Sequence, residues 1–82
     1  MNLYKFKVNT DAHAYEVYTG FMIAANSIPE ALETMYEYTC KKKDWIPYYL
    51  RSSNITIQCL GKFEPEEKLY KATVLMTDYI NA

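Results

Sequence analysis

Residues 17–40, VYTGFMIAANSIPEALETMYEYTC, pass from an apolar strand pattern through a capped turn into an amphipathic helix. Ser27-Ile28-Pro29-Glu30 fits a capping box, with Ser27 expected to accept from the Glu30 amide and Glu30 expected to reach back. Pro29 falls in the first turn, where a missing amide costs no helical bond. Ile28, Ala31, Leu32, Met35, Tyr38 and Thr39 then recur at three and four, which predicts one apolar stripe. Glu30, Glu33, Thr34 and Glu37 take the other side. Early acids and the late run Lys41-Lys42-Lys43 both suit the helix dipole, and Glu37 with Lys41 makes a favourable i,i+4 pair.

The strand that feeds this helix is expected over Tyr15 to Ala25. Tyr15, Val17 and Thr19 share one face and Glu16 and Tyr18 the other, up to Gly20. A glycine inside a strand marks a bulge or bend, so the faces of Phe21, Met22 and Ile23 stay open at this point. Upstream, Leu3 to Val8 alternates, with Tyr4, Phe6 and Val8 on one side and Lys5 and Lys7 on the other. The polar residues Asn9 to His13 predict a hairpin loop between the two strands.

Downstream, Asn54 to Leu60 alternates with Ile55, Ile57 and Cys59 on one face and Thr56, Gln58 and Leu60 on the other. Gly61 to Lys68 reads as an acidic, turn-rich connection. A last strand over Leu69 to Thr77 groups Tyr70, Ala72, Val74 and Met76 and turns Lys71, Thr73, Leu75 and Thr77 away. The order is ββαββ, read as two hairpins joined by one helix. That predicts an α+β domain with a four-stranded, mainly antiparallel sheet and the helix packed on one face.

A chain of 82 residues makes one small domain with a thin core. Nine lysines and arginines against ten acids give a net charge of −1, so no global field favours nucleic acid or anionic lipid. No apolar run approaches the ~20 residues of a membrane span. The start, MNLYKFKV, lacks the apolar centre of a secretory signal, which leads to the expectation of a cytoplasmic protein. Cys40 and Cys59 are then expected as buried or half-buried free thiols.

Chemistry has little to work with. His13 is the single histidine and lies in the expected hairpin turn, far in sequence from either cysteine. No metal-ligand spacing and no glycine-rich phosphate loop occurs. A non-enzymatic protein with no cofactor and no metal is expected.

Two surfaces carry the functional expectation. Asp44 to Ser53 is long and apolar for a connection, and Trp45, Ile46, Tyr48, Tyr49 and Arg51 are the candidate partner-binding residues. The adjacent Tyr48 and Tyr49 cannot both point inward in an extended segment. The alternative surface is the open sheet face, where Lys5, Lys7, Tyr18, Gln58 and Lys71 together could stack on and hydrogen-bond nucleic-acid bases. A homodimer joined at edge strands or sheet faces is the third reading.

The strand LYKFKV, the junction Ala25-Asn26-Ser27-Ile28-Pro29-Glu30-Ala31, the strand end Leu60-Gly61 and the tail Tyr79-Ile80-Asn81-Ala82 resemble a loose group of short phage and mobile-element proteins, mostly of unknown function. Some small proteins of similar ββα build inhibit host defence systems, anti-CRISPR proteins among them. The resemblance implies an inhibitor or accessory factor that occludes a protein partner in the host cytoplasm. The segment from Trp45 to Ser53 is not part of that pattern.

Overall fold

The computed structural model describes residues 1–9, 17–39, 50–65 and 71–80. They form strands β1 (Asn2–Val8) and β2 (Val17–Ala25), helix α1 (Ile28–Thr39), a 3-10 turn (Ser52–Asn54), and strands β3 (Ile55–Lys62) and β4 (Thr73–Ile80). The α+β class, the ββαββ order and, among the described residues, one α-helix on a four-stranded antiparallel sheet are as the sequence predicts.

The second hairpin is not. The sheet order is β3-β1-β2-β4, so β3 and β4 occupy opposite edges. Both β2 and β3 run antiparallel to β1 and are therefore parallel to each other, which a tight turn cannot connect. Helix α1 makes that crossover, delivering β3 to the far side of β1 and leaving the free edge of β2 for β4. The chain between β3 and β4 must pass three strand spacings, ~14 Å.

Helix α1 lies over β2 and β4. Ala31 and Met35 are fully buried, and Leu32 and Tyr36 pack against the core from the side. Two members of the expected stripe are not core: Ile28 is 45% and Tyr38 55% exposed. Ile28 is the first helical residue, and the turns after it rest on the sheet. Tyr38 sits on the outer flank of the stripe, where its ring meets that of Tyr18 edge-on at 6.2 Å.

The helix start differs in one partner. The Glu30 amide donates to Ser27 Oγ at 3.3 Å, as the box requires. The Glu30 carboxylate reaches one residue further back than expected, accepting from the Asn26 amide at 3.3 Å and from its side chain at 3.4 Å. Replacing Ser27 with alanine removes the cap and is expected to cost about 1 kcal/mol. Urea denaturation of the two proteins measures this, and Ser27→Gly should lose less than Ser27→Ala.

The core is built from matched rows across the sheet. Ile57, Phe6, Phe21 and Thr77 form one row, and Cys59, Tyr4, Ile23 and Val74 another. Tyr4, Phe6, Val8, Phe21, Ile23 and Ala25 are buried, joined by Leu50 and Ile55. The buried Tyr4 hydroxyl accepts from Asn2 Nδ2 at 3.4 Å, consistent with the need of a buried phenol for a partner.

Three bulges decide which residues face which way. Thr19 is the extra residue in β2, between the pairs Tyr18–Tyr79 and Gly20–Asp78, and its hydroxyl donates to the Asp78 carbonyl at 3.4 Å. Leu75 is the extra residue in β4, between Met22–Met76 and Ile23–Val74. Leu60 is the extra residue in β3, between Tyr4–Cys59 and Leu3–Gly61. Gly61 follows it at φ 112°, in the left-handed region that glycine tolerates best. Each insertion reverses the alternation beyond it.

The expected faces change accordingly. Phe21 and Ile23 face the helix, and Met22 faces away. Met76, expected to group with Val74, is 66% exposed on the opposite side, while Thr77, expected to turn outward, lies opposite Phe21. Gly61 and Lys62 belong to β3 rather than to the following connection. Cys59 keeps its expected face but is exposed, because β3 is an edge strand. Cys40, His13 with its loop, and Lys41 to Lys43 lie outside the described residues.

Candidate binding face

The sheet face away from the helix is organised as three rows. Thr56, Lys7, Gly20 and Asp78 make the first, Gln58, Lys5, Met22 and Met76 the second, and Gly61, Leu3, Ala24 and Thr73 the third. Ala24 is fully buried, while Lys5, Lys7, Thr56, Gln58 and Asp78 are exposed and Met22 half-buried.

Gly20 makes this face concave. With no side chain at its centre, a shallow hollow of about 420 Å³ opens between Lys5 and Lys7 on one side and Met76 and Asp78 on the other. A β-carbon at Gly20 would stand 3.2 Å from Asp78 Oδ2 and 3.3 Å from the Phe6 carbonyl oxygen. The backbone of β1 is thus drawn close beneath the hollow, and any larger residue would both crowd it and fill the space.

Lys7 and Asp78 flank Gly20 from the two neighbouring strands, ~9.5 Å apart by strand spacing. Among the described residues the ion pair within 4.0 Å is Lys62 with Glu64 at 3.0 Å, both well exposed. The face therefore presents one cationic column, Lys5 and Lys7, and one anionic group, the Asp78 carboxylate, which leans over Gly20.

Of the five residues expected on the open face, Lys5, Lys7 and Gln58 are there. Tyr18 is not. The Thr19 bulge turns it to the helix side, where its ring stacks on Phe21 at 5.2 Å. Lys71 is not there either; it precedes β4 and lines a separate hollow of about 350 Å³ with Asn26, Glu30, Glu33 and Glu37 of the helix side. Of the other surface, Trp45, Ile46, Tyr48 and Tyr49 lie outside the described residues. Arg51 is exposed and its carbonyl accepts from the Asn54 amide at 2.8 Å. The neighbouring Leu50 is 1% exposed and belongs to the core.

The sequence reading missed Met22, Met76, Asp78 and Gly20. The signal present was Gly20 itself, which marked an irregular strand without showing its sense.

Both sheet edges are blunted. β3 carries the Leu60 bulge, the left-handed Gly61 and the charged Lys62, and β4 the Leu75 bulge; such devices discourage pairing with a further strand. No group of three His, Cys, Asp or Glu side chains that could hold a metal occurs among the described residues, and no described helix is long and apolar enough to cross a membrane. The chain matches no family model, and no curated protein or solved structure is significantly similar to it.

Proposed function

We propose that this chain is a non-enzymatic protein-binding module that uses the open sheet face as its docking surface. The observation that carries the reading is Met76, 66% exposed beside Met22 on a concave face with a polar rim. Methionine side chains adapt to irregular partner surfaces, and apolar area rimmed by charge is the usual form of a contact site. Nucleic acid is less well served, since base stacking needs aromatic rings. The described part of this face has lost Tyr18 and gained Asp78.

The setting that the phage and mobile-element resemblance implies is occlusion of a host protein. Trp45, Ile46, Tyr48 and Tyr49 stand as a second contact element of the same reading. The test is affinity capture from bacterial extract on immobilised protein. A protein retained by the wild type should be lost from Met76→Glu and kept by Glu33→Gln on the helix side. Met76 is too exposed for its replacement to disturb folding by more than about 0.5 kcal/mol, which circular dichroism verifies. Equal retention by Met76→Glu would overturn the open face as the docking surface.

A further inference from the structure

The open face is complementary to itself, and we infer that a second copy of this chain docks on it, face to face. The inference rests on the protein-binding reading above and adds a second copy of this chain as an occupant of the same patch, in competition with any other protein docked there. The geometry comes from the central position of β2. A twofold axis lying along β2, midway between two stacked sheets, carries β1 of one copy over β4 of the other.

Lys7 and Asp78 flank Gly20 on the two neighbouring strands of one row, so the rotation sets Lys7 against Asp78 of the second copy and Asp78 against its Lys7. In the next row, Lys5 and Met76 flank Met22. There Lys5 lies along Met76 of the second copy, its aliphatic stem on the thioether, and the two Met22 side chains meet at the axis. The Gly20 positions face one another, and the Asp78 carboxylate of each copy leans over its own glycine, toward the axis. This is an isologous contact, in which one patch serves both partners and closes at two copies.

Charge supports it twice. Within one copy Lys7 and Asp78 form no ion pair with a described residue inside 4.0 Å, and the pairing satisfies both groups. A partner set in any register that placed Lys7 over Lys7 would suffer like-charge repulsion, which selects this axis over one across the strands. The blunted edges of β3 and β4 argue against edge-to-edge joining. Sheets stacked this way keep their strands within about 30°. The patch is small, six residues from three strands, so the dimer belongs to the weak class that buries less than ~1,200 Å² in total and dissociates on dilution.

The experiment is sedimentation velocity over a wide range of protein concentration, with Lys7→Asp, Asp78→Lys and their mixture. The wild type should shift from monomer to dimer as concentration rises. Each single variant places like charges opposite one another at both symmetry-related contacts, and should weaken self-association at least ~10-fold. Mixing the two variants gives a heterodimer in which both contacts are opposite in sign, and the dimer should return. A wild type that stays monomeric throughout, or a mixture no more associated than its components, would overturn the inference. If Met76-dependent capture of another protein persists in that case, the protein-binding reading stands without it; if capture fails too, both fall.

Discussion

Phe6→Ala is expected to destabilise the fold by about 3–5 kcal/mol. The whole domain, at the usual range per residue, has about 4–12 kcal/mol to lose. Phe6 is 1% exposed on the central strand β1, opposite Phe21 on one side and Ile57 on the other. Its ring therefore joins β2 to β3, two strands that are not paired with each other, and no neighbouring side chain can collapse from both directions to fill the space. The variant should lose most of its urea midpoint, and at the low end of that stability range it should be largely unfolded without denaturant. Lys5→Ala, one residue away on the exposed face, should shift stability by no more than about 0.5 kcal/mol. A Phe6→Ala loss near that of Lys5→Ala would mean that β1 is not the centre of the core.

The contrast between Phe6 and Lys5 was legible in the sequence because β1 has no extra residue of its own. Its alternation runs unbroken from Leu3 to Val8, and the faces follow directly. The other three strands each hold one bulge, and a bulge is a property of a pair: Thr19 is surplus only against Tyr79 and Asp78, and Leu75 only against Ile23 and Met22. Partners distant in sequence fix it, so periodicity alone put Tyr18 and Met76 on the wrong sides. Gly20 gave warning of the irregularity and nothing about which residue would be displaced.

The edge positions were hidden for a related reason. Local pattern shows that β3 and β4 are strands, and proximity in sequence suggests a hairpin, but the crossover through α1 sends β3 beyond β1. Cys59 was assigned to its correct face and still misjudged, because burial on that face depends on whether the strand is central. The helix start was legible almost to the atom, since capping is local chemistry. Ser27 and Glu30 both act there, with Asn26 as the added partner. The binding face was legible in Lys5, Lys7 and Gln58 and invisible in Met76 and Asp78, which reach it through the Leu75 bulge.

Leu50→Ala is the second large effect expected, a loss of about 2–5 kcal/mol. Leu50 falls within the apolar connection Asp44 to Ser53 but outside the candidate contact residues, and its side chain is 1% exposed and belongs to the core cluster with Val8 and Ile55. It stands just before the 3-10 turn that leads into β3, where the Asn54 amide donates to the Arg51 carbonyl at 2.8 Å and the Asn9 amide to the Asn54 carbonyl at 2.7 Å. Leu50 thus fixes the entry of β3, and removing it leaves a cavity where that strand must be aligned on β1. Ser53→Ala, on the exposed side of the same turn, controls for local change and should cost no more than about 0.5 kcal/mol. Thermal and urea unfolding of the two variants distinguish the roles. If Leu50→Ala matched Ser53→Ala in stability while lowering partner capture, Leu50 would be a contact residue after all. A large stability loss, with capture per folded molecule unchanged, would set the boundary of any aromatic contact surface before residue 50.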